Sequence, residues 1–207
     1  MSHVNLTAKK IAIKGYFTDL ESFGGKLYLV YREAETHQNS PEGRVAIIRQ
    51  SGKTWQRIET LHVPRYRFSD VRDPKICTLP NGELLVIGTV ARLRFDKLSN
   101  GKRTYKSWRY STVGWKSTNG TSWSYLDVLA GSSSWLWSLH TNSTGVYSVS
   151  YLGGVQLWKL DLASYKFQRI ANFGRGHTGS NLFGLGNEGE TAITTRPNKE
   201  MLSLIHI

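Results

Sequence analysis

Residues 116–123 read KSTNGTSW and end in Gly120-Thr121-Ser122-Trp123, and residues 49–55, RQSGKTW, end in Gly52-Lys53-Thr54-Trp55. The same small turn, glycine first and tryptophan last, occurs twice. Outward from each turn the chain alternates polar and apolar residues in both directions: GRVAIIRQSGKTWQRIETL and YSTVGWKSTNGTSWSYLDVL. A third copy, VQLWKLDLASYKFQRIANF, carries Phe167 in the aromatic place. Glycine supplies backbone angles that other residues adopt at a cost, and the aromatic can pack across the turn. Each copy is therefore a hairpin.

Four hairpins of a second kind lie between these: FGGKLYLVYR, LPNGELLVIG, NSTGVYSVSY and GNEGETAITTR, with turn glycines Gly25, Gly82, Gly145 and Gly189. Their mean spacing is about 55 residues, within the range of propeller-type repeats. Their period-2 alternation marks strands with two distinct faces. One hairpin of each kind makes a four-stranded antiparallel blade, so the expected fold is all-β: a β-propeller with about three and a half blades, an open ring.

Composition agrees. The 207 residues are 39 % hydrophobic and 12 % aromatic, which is globular and not disordered, and the 20 glycines suit many tight turns. The lone cysteine, Cys77, sits in a strand-like run and reads as a buried thiol. No disulfide, zinc-ligand spacing, phosphate-binding glycine loop or Ser-His-Asp arrangement is present, and no cofactor or metal is expected. The most apolar run, residues 84–91, is too short to span a bilayer, and the N-terminal ten residues hold no apolar targeting core, so the chain reads as soluble with no membrane contact.

The net charge of +12 would attract polyanions or acidic sugars. Part of it is local. Residues 92–109 hold seven bases (Arg92, Arg94, Lys97, Lys102, Arg103, Lys106, Arg109) against one acid, Asp96, with Phe95, Tyr105 and Trp108 interleaved. That composition suits a polyanion contact, and equally a solvated hairpin whose cations blunt a sheet edge.

The chain closes on LSLIHI, residues 202–207, after the polar RPNKE and Met201. With one choice of codons this resembles the translated end of a sequencing-library adaptor. Residues 1–201 are therefore read as a partial propeller domain and 202–207 as a non-native tail.

The glycine–tryptophan tails resemble the right half of the Asp box, Ser-x-Asp-x-Gly-x-Thr-Trp, with the left half degraded to Ser117-Thr118-Asn119 and Gln50-Ser51. FTDLESFGGKLYLVYREAETH, DVRDPKICTLPNGELLV, SSWLWSLHTNSTGVYSVSY and HTGSNLFGLGNEGETAITTR together look like the sialidase-like, six-bladed BNR-repeat propellers. This resemblance covers most of residues 17–196. It implies a carbohydrate ligand or substrate, a terminal acidic sugar such as sialic acid, and a ring of roughly 330 residues when closed. The alternative is a glycan- or polyanion-binding propeller without catalysis.

Propeller ligands sit over the central channel, which the innermost strands line. Those strands are expected around Phe17-Thr18-Asp19, Val71-Arg72-Asp73, Trp135-Leu136-Trp137 and Thr178-Gly179-Ser180. Arg32, Arg72 and Arg196 resemble the arginine triad of sialidases, since a planar guanidinium fork binds both oxygens of a carboxylate. The acidic candidates for catalysis are Asp19, Glu33, Asp70 and Asp73, with Tyr151 as candidate nucleophile. Arg72 and Asp73 also suit a salt bridge that pins neighbouring blades. Trp135 and Trp137 alternate along one strand, so they share a face, either for sugar stacking or for the blade core. Where relatives carry Asn-Glu-Thr on the fourth inner strand, this chain has Gly179-Ser180-Asn181, which removes a carboxylate and favours binding over hydrolysis.

Overall fold

The structure is a computed structural model that describes residues 14–64, 68–131, 133–150, 155–172, 190–195 and 201–206. Each of the first three repeats is a four-stranded antiparallel meander. The first sheet is β1 (Gly15–Phe23), β2 (Lys26–Glu33), β3 (Arg44–Ser51) and β4 (Thr54–Leu61). The second is β5 (Ser69–Thr78), β6 (Leu84–Ser99), β7 (Lys102–Ser117) and β8 (Ser124–Ala130). The third is β9 (Leu136–Asn142), β10 (Gly145–Ser150), β11 (Gln156–Asp161) and β12 (Lys166–Asn172). A fourth hairpin pairs β13 (Glu190–Thr195) with β14 (Met201–His206). There is no helix among the described residues, and hence none long and apolar enough to cross a membrane.

The first strands of successive sheets lie side by side, β1 against β5, β5 against β9, and β9 against β13. This is the radial order of propeller blades around a channel. Among the described residues the blades do not close into a ring.

The second blade explains why both faces of its central strands are apolar. Leu84 and Val86 pack toward the first blade, in a core with Tyr28, Val30, Val45, Ile47, Leu61 and Trp115. Leu85 and Ile87 point the other way, into a core with Leu136, Val146, Leu160 and Phe167 of the third blade. Alternation in β6 thus divides one strand between two interblade cores. Cys77 lies in the second of these, and burial pushes its thiol up to about 12.

The repeated turn also has an interblade purpose. Ser117 Oγ accepts the backbone N–H groups of Asn119 (3.3 Å) and Gly120 (2.8 Å), while Asn119 Oδ1 accepts those of Thr121 and Ser122, each at 2.9 Å. Side-chain oxygens thereby satisfy turn donors that no strand can reach. Gly120 sits at φ +70° against Tyr28 of the first blade, leaving no room for a side chain. Trp123 packs into the same interblade core, Phe167 repeats this between blades two and three, and Trp55 packs on Tyr31, Ala46 and Ile48. The turn aromatic of blades two and three therefore joins its blade to the preceding one.

Gly120→Ala must both adopt a positive φ and displace the Tyr28 ring. We expect a loss of about 1–3 kcal/mol, read as a lower urea midpoint at unchanged slope. An unchanged midpoint would show that the turn does not press on Tyr28.

Candidate functional site

The inner strands meet at a rim where each departs from regular pairing. Against β2, the register of β1 passes from Tyr16↔Arg32 to Thr18↔Tyr31 and leaves out Phe17. Against β6, β5 passes from Arg72↔Thr89 to Lys75↔Ile87 and leaves out Asp73 and Pro74. Against β10, β9 passes from Ser138↔Val149 to Leu136↔Ser150 and leaves out Trp137. A bulge frees a side chain from the ladder and re-aims it. Three successive strands do this at the same end.

Two of the bulged residues, Phe17 (φ 50°) and Asp73 (φ 49°), occupy the left-handed region. Asp73 does so immediately before a proline, a position that favours extended backbone. Such strain persists where surrounding contacts hold it, here a hydrogen bond from Trp135 Nε1 to Asp73 Oδ2 at 2.9 Å. Asp73 is closed to solvent, and among the described residues its other oxygen, Oδ1, receives no hydrogen bond.

Arg72 crosses between blades. Its guanidinium carbon lies 4.9 Å from the Trp135 ring centre and 5.8 Å from that of Phe17. Its Nε is buried and donates no hydrogen bond among the described residues. Lys75 stands 5.8 Å above the Trp137 ring. Tyr110 stacks on Trp135 at 5.0 Å, and the exposed His37 ring touches Phe17 at 5.2 Å. Asp19 accepts the backbone N–H of Ile76 at 2.9 Å, tying β1 to β5.

Burial holds both carboxyls above the ordinary aspartate value. For Asp19 it outweighs the Ile76 hydrogen bond and the charge of Lys75. For Asp73 it outweighs the charge of Arg72, the Trp135 hydrogen bond and the charge of Lys75. The rim therefore joins Asp19, Arg72, Asp73, Trp135 and Trp137 with Phe17 and Lys75, two side chains not among the sequence candidates.

The remaining candidates are engaged in other contacts or fall outside the described residues. Arg32 is 0 % exposed, and its fork is occupied: Nε and Nη2 donate to Asp70 Oδ1 and Oδ2 at 2.8 and 2.9 Å, and Nη1 to the Thr36 carbonyl at 2.8 Å. Asp70 is equally buried, accepts the Ser40 N–H at 3.1 Å, and abuts Gly43 so closely that a Cβ there would strike its carboxylate. Burial raises Asp70, opposed by Arg32 and by the Ser40 N–H. Arg32 and Asp70, expected as ligand-facing groups, form in this structure a joint between the first two blades. Glu33 pairs with Arg44 and Arg57, near Tyr31, away from the rim. Burial pushes it up, but hydrogen bonds from both arginines outweigh this and hold it below the usual carboxylate value. Tyr151, Arg196 and residues 178–181 fall outside the described residues.

No protein-family model matches the chain, and no curated protein matches it. Solved structures do. A protein of unknown function from Dyadobacter fermentans superposes with a TM-score of 0.64 at 13 % identity, over 95 % of this chain and 63 % of its own. The α-L-arabinanase of Penicillium chrysogenum, solved with arabinobiose, gives 0.62 at 15 % identity over 93 % and 57 %. The α-L-arabinofuranosidase Arb93A of Fusarium graminearum gives 0.62 at 13 % over 93 % and 56 %. At such identities the likeness establishes the fold, a β-propeller. The chain spans under two thirds of the length of each.

Removing Arg32 alone strands a buried carboxylate. Arg32→Met should cost about 3–5 kcal/mol, whereas Arg32→Met with Asp70→Leu should recover most of that loss in denaturant melts. An equally unstable double variant would contradict a purely structural joint. For Asp19, the folded state keeps its proton above the unfolded value of 3.8. Its contribution is complete below that value and fades as pH rises through the raised folded one, so Asp19→Asn should gain on wild type across that window. A constant gap would show that Asp19 is not raised.

Proposed function

We propose that the protein acts on glycans at the rim formed by the three inner-strand bulges, as a glycoside hydrolase-like propeller whose ligand carries an acidic sugar. The observation that carries this reading is the convergence there of one buried and one half-buried carboxyl, both with elevated proton affinity, an aromatic platform and a guanidinium whose Nε is unused among the described residues. Glycoside hydrolysis calls for a pair of carboxyl groups in unlike states. Asp19, which has no guanidinium partner among the described residues, is the proton donor to the leaving glycosidic oxygen. Asp73, where the charge of Arg72 opposes the burial that raises it, is the second carboxyl of the pair. Trp137, turned out of the β9 ladder beside Lys75, offers the aromatic face on which a pyranose or furanose ring stacks.

Arg72 gives the reading its sugar class. A cation on an aromatic face, with a buried N–H pointing to no acceptor, suits the carboxylate of a uronic acid or a terminal sialic acid. The arabinanase and arabinofuranosidase that share the fold act on arabinose-containing glycans, which lend weight to carbohydrate as the ligand class and not to sialic acid.

Asp19→Asn and Asp73→Asn should each lower release of reducing sugar by about 10²-fold or more while leaving ligand binding within a few-fold. Arg72→Ala should weaken binding of the acidic sugar and leave a neutral analogue unaffected. Binding without turnover in wild type would make this a non-catalytic glycan-binding module. No binding of either sugar would remove the proposal.

A further inference from the structure

The hairpin of β6 and β7 outgrows its blade. Both strands are 16 residues long, and the turn at Asn100 and Gly101 has positive φ at both positions, the geometry that closes a two-residue hairpin without splaying it. Residues 84–91 are buried within the blade, whereas nearly every residue from 94 to 103 is exposed. The ribbon leaves the blade where Ser69, the first residue of β5, pairs with Arg92, the end of β5 that leads into Arg72 and Asp73.

Register sorts the ribbon into two faces, because directly opposed residues of an antiparallel pair share a side. Leu93↔Ser107 and Phe95↔Tyr105 make one face, which leans on Phe68, 5.6 Å from Tyr105. Arg92↔Arg109 and Arg94↔Lys106 make the other, with Trp108 set out by the bulge between them and 52 % exposed. Cation thus opposes cation twice in succession. Like charges directly opposed destabilise a hairpin, and a ribbon serving only to cover an edge gains nothing from stacking them. Among the described residues Arg94, Lys106 and Arg109 form no ion pair with a carboxylate. The lysine-blunted edge foreseen from composition accounts for isolated cations, not for two matched rows.

We infer that this face is a second binding surface, for a polyanionic polysaccharide whose acidic residues bridge the opposed cations and one of whose rings stacks on Trp108. The choice of polysaccharide over nucleic acid rests on the glycan reading of the rim, from which the ribbon rises. The ribbon would hold an acidic chain whose end lies at the rim, making the ligand a polymer and not a free sugar.

The test measures binding of the intact chain to polygalacturonate, neutral arabinan and a single-stranded thymidine oligomer. The variants are Arg94→Ser/Lys106→Ser/Arg109→Ser, Trp108→Ala and Arg72→Ala, each checked by circular dichroism. The expected result is binding to polygalacturonate but not arabinan, weakening by about tenfold or more between about 0.05 and 0.2 M salt. The triple variant should lose about tenfold or more of it and Trp108→Ala several-fold. Unchanged polymer binding in the folded triple variant overturns the inference, as does tighter binding of the oligomer than of polygalacturonate. A galacturonate disaccharide separates the two sites: its binding should fall in Arg72→Ala and stay constant in the triple variant. Loss of the disaccharide signal in wild type with retained polymer binding would remove the rim reading and keep the ribbon.

Discussion

A buried fork between two blades sets the geometry on which the rim depends. Arg32 lies one residue before the end of β2 of the first blade and Asp70 one residue after the start of β5 of the second, and their four-atom contact is sealed from water. Both charges have been desolvated, so each is stable only against the other. That requirement fixes how far the second blade is rotated against the first. It also sets where β5 begins, and hence where Arg72 and Asp73 emerge two and three residues later. Gly43 and the Ser40 N–H close the same joint from the loop between β2 and β3. An arginine that looks like a ligand-binding fork in sequence is therefore spent on architecture, and the guanidinium left near the channel is its neighbour across the interface.

The bulges are the second constraint. A regular inner strand would alternate its side chains between the two adjoining blades and leave few for the channel end. Skipping Phe17, Asp73-Pro74 and Trp137 breaks that alternation at one level in three consecutive blades. An aromatic, a carboxylate and a second aromatic are turned out of their ladders together, at a cost in backbone strain that Trp135 and its neighbours offset. The same end of the second blade extends into the basic ribbon, so the rim and the ribbon lie at one end of that blade.

Much of the fold was legible because turn glycines and alternation are local signals. Gly25, Gly82 and Gly145 each fall at the expected first hairpin of a blade, and Trp55, Trp123 and Phe167 at the second. The inner-strand stretches at 17–19, 71–73 and 135–137 also lie at the rim, since aromatic and charged residues at strand ends are unusual enough to notice. What composition could not give is pairing at long range. Nothing local distinguishes Arg32 from Arg72; the difference is a partner 38 residues away. Nothing in the sequence marks Lys75, which stands 5.8 Å from the Trp137 ring of the next blade. The two-faced ribbon depends on register after a bulge between Arg92 and Leu93, which spacing alone does not reveal.

The most direct test of the rim is a tryptophan fluorescence titration with a uronic acid disaccharide and its neutral counterpart. Stacking of a sugar on Trp137 predicts a saturable emission change with the acidic disaccharide. That change should be abolished in Trp137→Phe and retained in Trp108→Phe, on the basic face of the ribbon. No change with either sugar, or a change that survives Trp137→Phe, would contradict the account.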